Sequence, residues 1–266
     1  MCPKTKTRKP RRGPLGESAD ELRGRAVKIL RALKKAYPDA RVPLNYANPL
    51  ELLVATILSA QCTDARVNEV TASLFKKYRS AADWAAARSK VLEKEVRSTG
   101  FFRSKAKAIR ESAQDIVEKH GGEVPSTLDE LTTLRGIGRK SANVLLAHAF
   151  GGQGIIVDTH FIRLSRRMGL TAEFDPVKIE FDLMATVPEK HWSEFSLMLT
   201  WHGRATCYAR KPECGRCAVR RLCPAAESEG EITWKVKIPA WKKKKAGAKN
   251  RRPRPGARTN RRTEGD

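Results

Sequence analysis

Residues 131–142 read LTTLRGIGRKSA, and this stretch decides the fold. Leu131 and Leu134 close one apolar-periodic segment, Gly136-Ile137-Gly138 turns the chain, and Arg139-Lys140-Ser141-Ala142 begins another. Glycine at positions 136 and 138 lets the backbone take positive φ and come close to another molecule. The amides freed where the second helix starts favour an anion. The pattern predicts a helix–hairpin–helix at about 127–150 that grips a DNA phosphate without reading sequence. A plain turn between two helices is the alternative. The cations Arg135, Arg139 and Lys140 beside the turn favour the phosphate reading.

Outward from this hairpin the chain reads as helical almost throughout. Ser18 and Glu21 form a capping box before the stripe Leu22, Ala26, Leu30 and Leu33, which Tyr37-Pro38 stops. Asn48-Pro49 opens a helix through Leu50, Leu53, Ile57 and Leu58. Thr63 or Asp64 opens a third through Val67, Val70 and Leu74, and another spans roughly Ser104 to Lys119 before Gly121-Gly122. Ser126 and Asp129 open a short helix through Leu131, and Asp175-Pro176 repeats the cap-plus-proline signal. Ile155-Ile156-Val157 is the one β-branched triplet and is too short for a sheet. The expected fold is all-α.

Hydrophobic residues make up 40% of the 266, enough for a real core, so wholesale disorder is excluded. The longest apolar run, around Leu52–Ala60, is about half the ~18–20 residues a membrane helix needs. No membrane partner is expected. The basic start MCPKTKTRKPRR lacks the apolar segment of a secretory signal, and an Arg-rich transit peptide is the alternative. The expected location is the cytoplasm, at the nucleoid of a bacterial source. The net charge of +24 is uneven: residues 1–16 carry +6, residues 235–266 carry +11, and the middle carries +7. Both ends are too poor in large apolar groups to offset ordering entropy, and are read as disordered basic arms, at 1–17 and 227–266. Polyanion binding by counterion release is their predicted use, with solubilising tails or attraction to anionic membranes as alternatives.

Four of the six cysteines, Cys207, Cys214, Cys217 and Cys223, form a C-x6-C-x2-C-x5-C pattern. Disulfides suit small exported domains, which this chain does not resemble. Four thiolates can close a tetrahedral zinc site or hold a [4Fe–4S] cluster. A single C-x2-C flanked by longer spacers favours iron–sulfur. Arg210 and Lys211 within this loop, with Arg216, Arg220 and Arg221, could neutralise the thiolates or face DNA phosphates.

Lys140 at a helix start, beside Arg139, is placed for a lowered pKa. A neutral amine there could attack a sugar C1′ and form a Schiff base; a phosphate-contacting lysine is the simpler alternative. Asp158 precedes the periodic run Phe161, Ile162 and Leu164 as a helix N-cap, and a capped carboxylate is also rigidly held to stabilise a cationic sugar. His160 reads as structural.

Together LRGIGRKSA (134–142), VDTH (157–160) and the four-cysteine loop resemble the endonuclease III family of DNA glycosylases, as does ILSAQCTD (57–64). The resemblance spans about residues 18–225. It implies two helical domains with DNA in the cleft between them: a six-helix barrel at 43–152, and an iron–sulfur domain joining 18–42 to 153–226. It implies a bifunctional glycosylase and abasic-site lyase. Such an enzyme flips an oxidised pyrimidine from duplex DNA, displaces it through the Lys140 Schiff base with Asp158 as carboxylate, and cuts 3′ to the abasic site by β-elimination. Cys207, Cys214, Cys217 and Cys223 would hold a [4Fe–4S] cluster. Gln61 would fill the hole left by the flipped base, and Phe101 would be an apolar wedge rather than core. Asp64 matches a polar position beside the pocket, or is simply a cap. Gly136, Gly138, Arg139, Arg210 and Lys211 would contact DNA. The partner would be double-stranded DNA with damaged pyrimidines or abasic sites, met by a monomer. Rival readings are action on ultraviolet pyrimidine dimers, a non-catalytic DNA-binding protein and an iron–sulfur sensor. A mismatch-adenine glycosylase is disfavoured, because that branch lacks a lysine at this position.

Overall fold

The computed structural model describes residues 13–232, and no strand occurs among them. The chain forms α1 (Ala19–Ala36), α2 (Pro49–Leu58), α3 (Asp64–Lys77), α4 (Ala81–Ala86), α5 (Ser89–Glu95), α6 (Phe102–His120), α7 (Leu128–Thr133), α8 (Arg139–Ala149), α9 (Thr159–Arg167), α10 (Pro176–Thr186) and α11 (Trp192–Ala205). Local chemistry sets most starts. Ser18 and Glu21 close the expected capping box, and the Asn48 and Asp175 side chains cap α2 and α10 ahead of their prolines. Gly121, left-handed at φ 63°, ends α6.

The helices build two hydrophobic cores within one compact unit. The first runs from Leu44 to Ile156 and is filled by Leu52, Leu58, Trp84, Leu92, Ile109 and Leu131. The second joins Leu22, Ile29 and Leu33 of α1 to Phe161, Leu183, Phe195 and Leu199. The chain crosses between them at the β-branched triplet. Ile155 and Val157 enter the second core while Ile156 enters the first. An extended chain sends successive side chains to opposite sides, so three residues knit both lobes without a sheet.

Several details differ from expectation. The cap of α7 is Thr127, whose hydroxyl accepts from the Glu130 amide, so the helix starts one residue later than a Ser126 cap would place it. Thr63 caps α3, which puts Asp64 inside the first turn and frees its carboxylate. Residues 13–17 and 227–232, read as parts of the arms, are ordered. Within 13–17, Glu17 forms an ion pair with Arg25 at 2.7 Å, and within 227–232 Gly230 is buried and donates to the Ala225 carbonyl. The remaining arm residues, 1–12 and 233–266, lie outside the described residues. The short helices α4 and α5 and the long α11 were not anticipated individually, although Ser80 and Asp83 close a capping box at the start of α4.

Candidate active site and nucleic-acid interface

α7 and α8 form the predicted hairpin, and its two glycines do different work. Gly136 has φ 82°, and a Cβ there would stand 3.0 Å from the Cβ of Ala108 on α6. Gly138 does not take the positive φ expected of it. It is extended at φ −91° and caps α8, with nothing within 4 Å of the place a Cβ would occupy. No side chain caps α8. Its first amides therefore have no side-chain acceptor at the positive end of the helix dipole, an arrangement that favours an anion.

Lys140 sits on the first turn of α8. Lys140 is exposed, yet the surrounding protein desolvates the ammonium enough to lower its pKa from 10.5. The Arg204 guanidinium pushes the same way, while Asp158 and Asp64 oppose it. The helping cation is thus Arg204, not the expected neighbour Arg139. Arg139 turns away: its Nε donates to the buried Glu180 at 2.7 Å, and its guanidinium lies over the Phe181 ring. In this structure Arg139 therefore ties α8 to α10, with about a third of its side chain (36%) still exposed. Asn143 also donates to Glu180, at 3.1 Å, fastening α8 to α10.

Asp158 caps α9. One carboxylate oxygen accepts from the Phe161 amide at 2.6 Å, and the other receives the Thr200 hydroxyl at 3.4 Å. Asp64 of α3 pairs with Arg204 of α11 at 2.8 Å, across the lobes. No ion pair within 4.0 Å ties Lys140 to either carboxylate. An amine outside any ion pair can lose its proton and offer its lone pair. His160 is structural: its ring packs where a Cβ on Gly203 would fall.

Gln61 and Phe101 occupy two exposed loops, and both are left-handed, at φ 54° and 47°. Phe101 is 65% exposed, whereas Phe102 packs against the first core. The core-packing alternative therefore fails for Phe101 and holds for Phe102. Arg210 and Lys211 are exposed.

The sequence profile of the HhH-GPD superfamily base excision DNA repair proteins matches residues 54–189. The chain is 53% identical over 205 residues to endonuclease III of Synechocystis, covering 77% of this chain and 94% of that one. It is 45% identical to endonuclease III of Bacillus subtilis, covering 70% and 86%. The chain belongs to the endonuclease III family. It is a base excision repair DNA glycosylase and abasic-site lyase. A non-covalent endonuclease III–DNA complex superimposes with a TM-score of 0.74 at 40% identity, covering 77% of this chain and 97% of that one. A trapped covalent endonuclease III–DNA intermediate gives the same score and identity over 79% and 99%. These likenesses favour neither the dimer-specific reading nor the non-catalytic ones.

The endonuclease III family implies a cluster, which the cysteine loop can be tested against. Cys207, Cys214, Cys217 and Cys223 line one cavity with Met168, Val219, Ala225 and Ala226. Among the described residues, however, no three His, Cys, Asp or Glu side chains are grouped to hold a single metal ion. Thiols spread around a cavity suit a polynuclear group, in which each cysteine meets a different iron. Burial pushes the Cys223 thiol up to about 11 and raises Cys214 and Cys217 as well, so four thiolates there require a compensating cation. The surroundings also suit thiolates. Arg167 donates to Cys207 Sγ at 3.4 Å. Buried His202 is held neutral, with its pKa near 4, by desolvation and then by Arg163. Its Nδ1 meets the Tyr37 hydroxyl at 2.7 Å and its Nε2 meets Cys217 Sγ at 3.4 Å. With Tyr37 donating, Nε2 carries the hydrogen toward sulfur. The residues fit. Arg163 and Arg167 pin this loop through the Cys207, Tyr208 and Ala209 carbonyls, roles that no local sequence pattern announces.

Proposed function

We propose that Lys140 is the nucleophile, and Asp158 the charge-stabilising carboxylate, of a glycosylase and lyase acting on oxidised pyrimidines flipped from duplex DNA. One observation carries this reading. A desolvated amine free of any ion pair and a helix-capping carboxylate share an electrostatic site at the boundary of the two lobes. The neutral Lys140 Nζ attacks C1′ as the bond from C1′ to the base breaks, and the base leaves with the electron pair and gains a proton. Nζ loses its proton, the C1′–O4′ bond opens with O4′ protonated, and C1′=Nζ forms as an iminium. Asp158 lowers the energy of the cationic sugar on the way. Loss of a C2′ proton then expels the 3′ phosphate, and water releases Lys140. The uncapped start of α8 holds a flanking phosphate, Gln61 fills the vacated stack, and Phe101 wedges the duplex.

Cys207, Cys214, Cys217 and Cys223 would hold a [4Fe–4S] cluster, which supplies Fe–S bonds that fix the loop and a redox-capable centre. The residues 18–42 plus 153–226 act as one domain and 43–152 as the other, in a monomer working in the bacterial cytoplasm. Likeness to the endonuclease III relatives supports a DNA substrate and the cluster.

Borohydride trapping on a duplex with one thymine glycol tests the chemistry. An adduct with the parent chain that maps to Lys140 and is absent from Lys140→Ala is expected. No adduct from either, on thymine glycol or on an abasic site, would reject the imine route. Cys223→Ser is expected to lose iron and visible absorption; retention of both would reject the ligand set.

A further inference from the structure

The deepest charge in the first lobe belongs to a residue outside the reaction just described. Lys105, in the first turn of α6, is only 4% exposed. Its Nζ donates to the Leu58 carbonyl at 2.8 Å and to the Thr99 carbonyl at 2.6 Å. Leu58 is the last residue of α2, and Thr99 ends the short 3-10 turn Arg97–Thr99. Both carbonyls stand at negative helix ends that lack intrahelical donors, so one ammonium satisfies two orphan acceptors and both end charges. Burying a lysine for this is costly, and burial does lower its pKa.

The two carbonyls lead into the two exposed loops. Gln61 follows Leu58 by three residues and Phe101 follows Thr99 by two. Both are non-glycine residues in left-handed backbone, a strained state that persists only where the surroundings enforce it. The Lys105 backbone completes the clamp, because its amide donates to the Phe101 carbonyl at 3.0 Å. One residue thus holds the roots of both loops, which lie 40 residues apart in sequence.

We propose that Lys105 is a positioning residue that locks the Gln61 and Phe101 loops into one rigid two-pronged element, so that both prongs enter a damaged duplex together. The inference rests on the reading of these two loops as DNA contacts. It predicts energetic coupling between the two prongs through their roots.

The test is a double-mutant cycle on affinity for a duplex carrying a tetrahydrofuran abasic analogue, with Gln61→Ala, Phe101→Ala and their combination. In the chain with Lys105 present, the double variant should bind at least about threefold more tightly than the product of the single losses predicts. Adding Lys105→Met should abolish that coupling and shrink the discrimination between abasic-analogue and undamaged duplex about tenfold. Lys105→Gln, which keeps an N–H donor, should restore part of both. Single losses that simply multiply in the parent chain would overturn the clamp while leaving the loop reading intact, as would coupling that survives Lys105→Met. No effect of either single substitution would remove the loop reading and the clamp with it. Should Lys105→Met fail to fold, the cycle in the parent chain and the Lys105→Gln variant still decide.

Discussion

The hairpin glycines give the sharpest prediction, because the structure assigns them opposite costs. Alanine at position 136 must hold φ 82°, and the left-handed region costs an L-residue about 1–2 kcal/mol. Its methyl would also sit 3.0 Å from the Cβ of Ala108, which is buried on α6 and has no rotamer by which to move away. Such overpacking costs about 1–3 kcal/mol. The less flexible unfolded chain returns about 0.4–1 kcal/mol. Gly136→Ala should therefore destabilise the protein by about 1–4.5 kcal/mol. Gly138→Ala meets an allowed extended backbone and empty space, so its stability change should stay within about 0.5 kcal/mol. The methyl would stand at the uncapped start of α8 and should weaken binding to an abasic-analogue duplex about tenfold, or about 1.4 kcal/mol. Urea unfolding gives the stabilities and fluorescence anisotropy the affinities. Equal stability losses at the two positions, or full affinity in Gly138→Ala, would refute the division of labour.

Three further outcomes follow from the site and the arms. The attacking form of Lys140 is the neutral amine, so the single-turnover rate of Schiff-base formation should rise with pH and level off through a pKa below 10.5. Arg204→Met removes a cation that favours the neutral amine and unpairs the Asp64 charge that opposes it, so the midpoint should move up; an unmoved or lowered midpoint contradicts the assignment. Asp158→Ala should lose the α9 cap, worth about 1 kcal/mol, together with most of the rate, while Asp158→Asn should keep the cap and still lose rate. Normal turnover by Asp158→Asn would show the charge to be dispensable. Deleting residues 235–266, which carry +11, should weaken DNA binding at moderate salt and flatten its salt dependence while sparing single-turnover trapping. An unchanged salt slope would remove the arm from binding.

Most of the helices that were legible carry a local signal. The capping box at Ser18, the asparagine and aspartate caps before Pro49 and Pro176, and the glycine stop after α6 involve residues a few positions apart. Propensity and capping act over that range. α4 went unread although Ser80 and Asp83 form a capping box at its start, while α5 and α11, which no side chain caps, rest on tertiary packing. At the site, Lys140 and Asp158 were readable because each sits at a helix start. The direction of Arg139 was not, since Glu180 lies 41 residues away and nothing in the local sequence names it.

The sequence alone determined the hairpin, the candidate nucleophile, the capped carboxylate and the spacing of four cysteines, because short-range stereochemistry and composition suffice for those. Only the tertiary structure brought Asp64 and Arg204, 140 residues apart, to the Lys140 amine. Only it bared Phe101 while packing Phe102 against the first core, and sank the Lys105 ammonium beneath two loops. Desolvation and charge proximity depend on which surfaces meet when two cores close, and that meeting leaves no periodic mark on the chain.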